Sequence, residues 1–374
     1  MFNSLLLPYW QRLRIVYKGF YRDKTVLVTG AAGFKGTWLT IALLDAGVKE
    51  VIGLDRERRP RSNFMMSGLD QVITSVQGDI RDSALLLRLL TEYQVDTVFH
   101  LAAQPIVKIA YRNPMETMSS NIMGTASVLE AIRQAGTVRR CVVATSDKAY
   151  GDKGGELYTE DDPLNGVDIY SASKSAADLV TKAWIANYLQ PAGVHCGIVR
   201  CGNIIGGGDW SPGRIVVDCA NALNEGRSPD IHNPIMVRDY FYMLDAVSGY
   251  LTLGAALDRE GVTGEAFNFG PVEHDIKNGD LATRICTLWG GARPWRHTPP
   301  TETFPEIPKQ TLSWEKAQRL LDWRPTYTLD EALRDTVEWY QNWLSETPLD
   351  ELNLLLLQRY QDRAAELGIG WAAS

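Results

Sequence analysis

The chain has 374 residues, of which 45% are hydrophobic and 22% are charged. This balance is typical of a folded globular protein and excludes disordered and collagen-like classes, and the length suits one large domain or two closely joined ones. The 38 basic and 45 acidic residues give a formal net charge of −7, which argues against sequence-independent nucleic-acid binding, because that mode needs clustered positive charge.

Short β-branched runs alternate with helical patterns through the first two hundred residues. The predicted strands are Thr25–Thr29, Val51–Leu54, Val72–Val76, Thr97–Leu101, Arg140–Ala144 and Val194–Arg200. The predicted helices among them are Phe34–Ala46, Ser83–Tyr93 and Thr117–Ala135. Strands that alternate with helices of this length predict an α/β fold, a Rossmann-like doubly wound parallel sheet with right-handed connections.

The regular alternation stops after the sixth predicted strand, where glycines and prolines become frequent. We therefore expect a Rossmann-like domain over residues 1–202 and a smaller, irregular substrate domain over residues 203–374. Helices are predicted at Ile215–Leu223 and Asp330–Leu344. The apolar run Ala266–Phe269 can return to the main sheet, so the first domain is expected to regain residues near 235–270.

A glycine-rich loop lies between the first strand and the first helix. It contains Gly30, Gly33, Phe34, Lys35 and Gly36, with the spacing G-x-x-G-x-x-G. A turn without Cβ atoms lets the backbone approach a pyrophosphate, whose charge is stabilised by N–H groups at the helix N-terminus. In this strand–turn–helix context the loop predicts dinucleotide binding rather than a plain tight turn.

Acidic residues follow the second and third strands. Asp55 can accept hydrogen bonds from both hydroxyls of an adenosine ribose. Its carboxylate would repel a 2′-phosphate, which favours NAD, although Arg56 and the arginines after it keep NADP open because arginine can hold that phosphate. Asp79 and Ile80 can border the adenine, with Asp79 accepting from the adenine amine, or Asp79 can cap the helix that begins near Ser83.

A tyrosine and a lysine stand four residues apart, at Tyr170 and Lys174, so a helix places both on one face. An ammonium and a nicotinamide cation both favour phenolate, and we expect them to lower the pKa of Tyr170 until it can act as a base near neutrality. The alternative is a pair on a surface helix. Ser146, at the carboxyl end of the fifth strand, can donate to a substrate oxygen and complete a Ser–Tyr–Lys set. Asp147 follows it beside a lysine and could otherwise form a solvated ion pair.

Taken together, these motifs resemble the extended short-chain dehydrogenase/reductase family that acts on nucleotide sugars. The resemblance covers nearly the whole chain, from about Phe20 to Leu344, and is closest to the CDP-glucose 4,6-dehydratases. The stretches that carry it are Gly33–Gly36, Ala102–Pro105, Asn121–Thr125, Thr145–Lys148 and Gly202–Trp210, with Arg238-Asp239 shared more widely in the family.

The resemblance implies an NAD-dependent dehydratase that converts a nucleotide hexose, CDP-glucose first among them, into the 4-keto-6-deoxy sugar. Tyr170 would take the proton of the sugar O4 while hydride leaves C4 for NAD⁺. Asp147 would protonate the departing C6 hydroxyl. Lys148 stands where dTDP-sugar relatives have a glutamate, and it would remove the C5 proton if a desolvated, cationic site favours its neutral form. Hydride would then return to C6.

The same matching implies further binding residues and a homodimer. Leu101, Ala102, Ala103, Gln104 and Thr145 would border the cofactor, together with Tyr170 and Lys174. Gln104, Asn203, Arg214 and Arg238 would contact the substrate. An arginine suits a diphosphate because its planar fork bonds two oxygens at once, although each arginine alone could equally be a surface residue. The dimer would form through helices near residues 117–135 and 170–189.

Two other functions stay open from the sequence. A nucleotide-sugar 4-epimerase on the same scaffold needs only Ser146, Tyr170 and Lys174, whereas Asp147 would have no leaving group to protonate. A nucleotide-sensing regulator would keep the dinucleotide fold without chemistry, but such proteins often lose the tyrosine or the lysine.

The cysteines and the apolar runs indicate in which cellular compartment the protein is expected. Five cysteines without a C-x-x-C pair argue against a disulfide framework and a zinc site, so we expect no metal and a reducing, cytoplasmic location. No apolar run reaches the ~20 residues that span a bilayer. The apolar start at Leu5–Trp10 is expected to pack on the body or on a partner subunit rather than in a membrane. Subunit packing is also our expectation for the apolar stretch Leu354–Leu357.

Overall fold

The computed structural model describes residues 16–155, 157–299, 309–343 and 348–372. Its strands are β1 Thr25–Thr29, β2 Glu50–Asp55, β3 Thr74–Gln77, β4 Thr97–His100, β5 Arg140–Ala144, β6 Leu157–Tyr158, β7 His195–Cys201, β8 Asn203–Ile205, β9 Asp230–Ile231, β10 Val237–Arg238, β11 Tyr240–Tyr242, β12 Ala266–Phe269, β13 Ile276–Lys277, β14 Arg296–His297 and β15 Thr311–Leu312. Its α-helices are α1 Phe34–Asp45, α2 Asn63–Met66, α3 Leu69–Val72, α4 Ser83–Glu92, α5 Val107–Arg112, α6 Pro114–Met118, α7 Gly124–Ala135, α8 Ile169–Trp184, α9 Ile215–Asn224, α10 Met243–Ala256, α11 Asn278–Leu288, α12 Glu315–Leu321, α13 Leu329–Asn342 and α14 Leu349–Glu366. The apolar start at Leu5–Trp10 and the end of the expected helix at Leu344 lie outside the described residues.

Seven strands form one sheet in the order β12-β7-β5-β4-β1-β2-β3, and every neighbouring pair is parallel. The expected Rossmann-like, doubly wound fold is confirmed. Strand order reverses between β1 and β4, and open sheets of this kind bind ligands outside the carboxyl ends of the strands at such a reversal.

Helices cover both faces of the sheet. Alternate residues of each strand point to opposite faces, so each strand contributes side chains to the core on both sides. On β1, Val26 and Val28 belong to the largest buried apolar cluster of the described residues, and Leu27 belongs to a second one. Helices α1 and α10 pack together on one side, and α4 packs on α7 on the other. Both faces of the parallel sheet are therefore buried.

Two predicted elements differ in the structure. The strand expected at Val72–Val76 begins at Thr74, because Leu69–Val72 closes a helical turn after the left-handed Gly68. The single helix expected at Thr117–Ala135 is interrupted by a π turn over Ser119–Met123. At its centre the amide of Asn121 bonds the main chain of a neighbouring loop and the hydroxyl of Ser173 on α8. Polar side-chain bonds thus fix the position of this break.

The chain after β7 is irregular, as expected, but it returns to the sheet. Strand β12 pairs with β7 along its whole length, while the division into two domains stays a prediction. The Leu354–Leu357 stretch lies on α14, where Leu356 and Leu357 are buried in the chain's own core and Leu354 packs against it. The expectation that this stretch packs on a subunit is therefore wrong for all but Leu355. Within the described ranges, no helix has the length and apolarity needed to cross a membrane.

Candidate active site

The loops after β1, β5 and β7 surround a cavity of about 380 Å³ at the carboxyl edge of the sheet. Ten of the residues singled out from the sequence line it: Phe34, Lys35, Thr145, Ser146, Asp147, Lys148, Tyr170, Asn203, Arg214 and Arg238. They come from segments up to two hundred residues apart. The fold thus brings to one place all the predicted catalytic residues except Lys174 and all the predicted substrate-binding residues except Gln104.

The glycine loop is built for close backbone contact. Gly30 has a φ of +76°, and a Cβ on it would lie 2.9 Å from the main-chain nitrogen of Ala102. A Cβ on Gly36 would lie 2.0 Å from the carbonyl oxygen of Gly30. Helix α1 begins after Gly33 without a side-chain cap, so its first N–H groups can bind an anion such as a pyrophosphate.

The end of β2 fits a ribose without a phosphate. Asp55 accepts hydrogen bonds from the main-chain nitrogens of Ala32 and Glu57, at 3.1 and 3.3 Å, and burial raises its pKa. The arginines that could hold a 2′-phosphate are engaged elsewhere. Arg56 pairs with Glu116 at 2.7 Å, and Arg58 donates to the carbonyl of Ser75. The residues present therefore fit an NAD-type ribose better than an NADP-type one.

Asp79 is held by an arginine. Its two carboxylate oxygens accept from the guanidinium of Arg81 at 2.9 and 2.6 Å, and this bond lowers the pKa of Asp79. The alternative that Asp79 caps the next helix is wrong, because Asp82 does so by accepting from the main-chain nitrogen of Leu85. A contact of Asp79 or its neighbour Ile80 with adenine stays a prediction.

The segment from Leu101 to Gln104 follows β4 and borders the glycine loop. Leu101 and Ala102 donate from their main-chain nitrogens to the hydroxyl of Thr29. The side chain of Gln104 donates to Thr117 at 2.9 Å and accepts from the nitrogen of Ile106 at 2.6 Å. Its amide thus closes its own loop and does not line the described cavity. A ligand-binding role stays a prediction for Ala103 and Gln104.

Helix α8 presents the tyrosine and the lysine on one face. Asp168 caps the helix by accepting from the main-chain nitrogens of Tyr170 and Ser171, at 2.9 and 3.0 Å. Lys174 is buried, and its ammonium donates to the carbonyl of Ala144 at the end of β5, at 3.3 Å. The cap at Asp168 was not foreseen, although an aspartate two residues before the tyrosine is an ordinary capping signal.

The low pKa expected for Tyr170 beside a nicotinamide cation does not arise from the protein alone. Burial raises the pKa of Tyr170 to about 12, and a hydrogen bond with Ser146 opposes the rise. Burial, and then the charge of Lys35, lowers the pKa of Lys174 to about 7. Because Lys174 carries little charge above neutrality, a bound cation such as a nicotinamide would have to supply the charge that favours phenolate.

The residues after β5 form a tight turn. Ser146 donates to Asp147 Oδ1 at 2.9 Å, and the main-chain nitrogen of Lys148 donates to the same oxygen at 2.9 Å. The other oxygen, Asp147 Oδ2, lies 3.5 Å from the Lys148 ammonium. A Cβ on Gly202, another cavity residue, would lie 3.5 Å from that oxygen. Within the described residues, Asp147 Oδ1 accepts two short hydrogen bonds and Asp147 Oδ2 has only the long contact with Lys148.

A glutamine from far along the chain completes this turn. The side chain of Gln310 accepts from the Lys148 ammonium at 2.5 Å and donates to the main-chain oxygen of Asp147 at 2.6 Å. Gln310 is only 4% exposed. No motif in the sequence marks it, and its sequence separation of 162 from Lys148 makes the contact unpredictable from local patterns.

Three further cationic side chains line the cavity. Arg214 pairs loosely with Asp209, at 3.4 Å, and Arg238 lies on β10. Lys108, which the sequence analysis missed, also lines the cavity, and its ammonium would lie 3.9 Å from a Cβ placed on Gly213. Positive side chains in the lining of the cavity suit a diphosphate. Among the described residues, no group of His, Cys, Asp and Glu side chains is arranged to hold a metal ion.

The chain is similar to known nucleotide-sugar enzymes over most of its length. Residues 27–336 match the model of the GDP-mannose 4,6 dehydratase family. The chain is 36% identical over 340 residues to a CDP-glucose 4,6-dehydratase from Salmonella typhimurium strain LT2, covering 88% of this chain and 94% of that protein. It is 32% identical over 349 residues to a dTDP-glucose 4,6-dehydratase from Mycolicibacterium smegmatis, covering 90% and 99%.

Solved structures agree with this similarity. A double mutant of a dTDP-glucose 4,6-dehydratase from Streptomyces venezuelae, with NAD bound, aligns with a TM-score of 0.75 at 28% identity, over 85% of this chain and 97% of that one. A UDP-glucose 4-epimerase from Thermotoga maritima aligns with a TM-score of 0.76 at 24% identity, over 86% and 100%. At that identity the second likeness concerns the fold alone.

Proposed function

The chain belongs to the GDP-mannose 4,6 dehydratase family and is an NAD-dependent nucleotide-sugar 4,6-dehydratase, and we propose that its substrate is CDP-glucose. The observation that carries the proposal is the turn after β5, which places a buried carboxylate, Asp147, and an ammonium, Lys148, in the same cavity as Tyr170. Elimination of water needs an acid and a base besides the redox tyrosine.

Each residue of this set has a chemically distinct task. Tyr170 accepts the proton of the sugar O4, assisted by the Ser146 hydroxyl. Lys148 in its neutral form removes the C5 proton, which is acidic once C4 is a ketone. Asp147 in its protonated form gives its proton to the C6 hydroxyl, which leaves as water. Lys148 then returns its proton to C5, and the proton taken up by Tyr170 is released to solvent, from which Asp147 is protonated again. The sugar has thus lost only the atoms of one water molecule, and the three residues are back in their starting states.

The cofactor site is assigned to the residues that fit an NAD-type dinucleotide. The loop from Gly30 to Gly36 would hold the pyrophosphate, and Asp55 would bind the adenosine ribose. When bound, NAD⁺ supplies reversible hydride acceptance from C4 and its return to C6. The cation beside Tyr170 would also favour its phenolate, which burial alone disfavours.

The similarity and the identity of Lys148 support CDP-glucose as the substrate. The 36% identity to a CDP-glucose 4,6-dehydratase exceeds the 32% to a dTDP-glucose enzyme. Lys148 also matches the lysine that the resemblance implies for CDP-sugar enzymes. We assign Lys108, Arg214 and Arg238 to the diphosphate.

A 4-epimerase is the second candidate, because an epimerase shares the fold. It would need Ser146, Tyr170 and Lys174, and all three are present. It would not need the buried carboxylate of Asp147 in the lining of the cavity. The dehydratase accounts for this residue and the epimerase does not.

We also propose a cytoplasmic homodimer. All five cysteines are buried free thiols, the state expected in a reducing compartment. Helices α6, α7 and α8 pack side by side. On them and on the adjoining π turns, Met115, Met123, Leu179 and Tyr188 expose between 49% and 79% of their surface. Exposed apolar residues on neighbouring helices favour burial against a second copy.

Turnover of four nucleotide sugars tests the proposal. The protein, loaded with NAD⁺, is incubated with CDP-, dTDP-, GDP- and UDP-glucose, and the products are weighed by mass spectrometry. We expect loss of one water molecule, with the highest kcat/KM for CDP-glucose. Faster turnover of dTDP-glucose would overturn the assignment of cytosine as the nucleobase of the substrate. Turnover without loss of water would favour the epimerase.

A further inference from the structure

Gln310 bridges the two residues that the proposed function makes acid and base. Gln310 immediately precedes β15, and β15 pairs in parallel with β6. This pairing holds the segment that carries Gln310 next to the turn after β5. Its amide nitrogen donates to the main-chain oxygen of Asp147, and its amide oxygen accepts from the Lys148 ammonium. The nitrogen and the oxygen of one planar amide thus bind two consecutive residues.

The bond to Lys148 is the shorter of the two contacts made by that ammonium. Lys148 Nζ lies 2.5 Å from the Gln310 oxygen and 3.5 Å from Asp147 Oδ2. A neutral amine has two N–H groups and one lone pair. When one N–H points to Gln310 and the other toward Asp147, the lone pair is left for the proton of a substrate.

The charge of the residue at position 310 matters as much as its geometry. An amide oxygen accepts a hydrogen bond without adding negative charge, so it positions the amine without strongly favouring the ammonium. A carboxylate in the same place would attract a proton to Lys148 and remove the lone pair. This difference separates glutamine from glutamate, although the two side chains have nearly the same shape.

We propose that Gln310 is a positioning residue that orients Lys148 and keeps it able to accept the C5 proton. The inference rests on the proposed function, because that function makes Lys148 the base. The role is distinct from structural support alone. Support would be lost equally for C4 oxidation and for C5 deprotonation, whereas positioning of Lys148 affects C5 deprotonation only.

Two variants of Gln310 test the role. In Gln310→Glu we expect the rate of C5 deprotonation, followed as deuterium uptake from heavy water, to reach half its maximum at a pH about 1–3 units higher than in the unaltered protein. In Gln310→Leu we expect the same rate to fall roughly tenfold to a hundredfold at every pH. In both variants, C4 oxidation, followed by single-turnover absorbance at 340 nm, should be nearly unchanged.

Gln361 provides a matched control. It is also 4% exposed, and its amide donates to Asp45 at 2.7 Å, away from the cavity. Gln361→Leu should lower the melting temperature and leave the pH profile unchanged. Coincident pH profiles for Gln310→Glu and the unaltered protein would contradict the proposal, as would an equal fall of both partial reactions in Gln310→Leu.

A titration without substrate separates this proposal from the proposed function. In protein labelled with carbon-13 lysine, the Lys148 resonance is assigned from Lys148→Met and titrated by NMR. We expect it to titrate at higher pH in Gln310→Glu. That shift in a protein that dehydrates no nucleotide sugar would sink the proposed function alone, and its absence in an active dehydratase would sink the role of Gln310 alone.

Discussion

Arg200 on β7 forms a fork-shaped ion pair with Asp178 on α8. The guanidinium Nε lies 2.8 Å from one carboxylate oxygen and Nη2 lies 2.9 Å from the other, and neither residue is exposed. Thr145 donates to the same carboxylate at 3.1 Å. Asp178 lies one helical turn beyond Lys174, so the pair ties the helix that carries Tyr170 and Lys174, the proposed catalytic pair, to the carboxyl edge of the sheet.

Removing the arginine of this pair should destabilise the whole protein. Arg200→Met removes both guanidinium hydrogen bonds from the buried Asp178 carboxylate, and we expect a loss of about 3–5 kcal/mol in the free energy of unfolding. Urea denaturation at pH 7 measures it. Arg133→Met, which breaks the solvent-exposed pair with Glu130, is the control and should change little. Similar effects of the two substitutions would contradict the assignment.

Lys174 should lower stability while supporting activity. Its pKa falls to about 7 on folding, from 10.5, so between these values the unfolded chain binds a proton that the folded chain does not. The free energy of unfolding contributed by this group therefore falls as pH drops through that window. Lys174→Met should stabilise the cofactor-free protein more at pH 6 than at pH 10, and should lower kcat by roughly 10²-fold or more.

Thermal melts at the two pH values, together with turnover assays, check this prediction. Lys182→Met on the same helix is the control, because Lys182 is half exposed and lies 3.6 Å from Asp178. An equal effect of Lys174→Met on the melting temperature at pH 6 and at pH 10 would show that the ammonium is not desolvated.

Asp147 should be needed for elimination and not for oxidation. In Asp147→Asn the side chain keeps its shape and loses the transferable proton, so loss of water should slow by roughly 10²–10⁴-fold. C4 oxidation should persist, and absorbance at 340 nm should build up after mixing with CDP-glucose. An equal loss of absorbance change and of product would remove Asp147 from the role of acid.

The proposed dimer can be tested by charge. Met123→Glu and Leu179→Glu place carboxylates on the exposed apolar surface of the adjacent helices, where burial against a partner would leave them desolvated. We expect the double variant to sediment as a monomer and the unaltered protein as a dimer. Ile235→Glu, at a residue that is 79% exposed outside these helices, is the control. A dimer that survives the double variant must use another surface.

The sequence predicted elements whose signals are local. The strands at Thr25–Thr29, Arg140–Ala144 and Ala266–Phe269 have the predicted bounds, because buried parallel strands are continuous β-branched or apolar runs. The glycine loop and the pair Tyr170 and Lys174 were found in the same way, since each is a short spacing on one element.

Contacts between distant segments were not predictable. Gln310 reaches Lys148 only because β15 pairs with β6, and neither two-residue strand has a signal in the sequence. The protein alone raises the pKa of Tyr170, because burial of the phenol, which depends on the packed cavity, outweighs the effect of its neighbours. The hydrogen bonds of the Gln104 side chain with Thr117 and Ile106 were likewise not predictable, because they depend on the folded loop.

Turnover of CDP-glucose in heavy water tests the central claim most directly, because water can leave across C5 and C6 only if the C5 proton is removed. Nuclear magnetic resonance of the product should show a 4-keto sugar with a methyl group at C6 and one deuterium at C5, with no net accumulation of absorbance at 340 nm. A product that keeps its C6 hydroxyl and its C5 proton, with C4 inverted, would contradict the account.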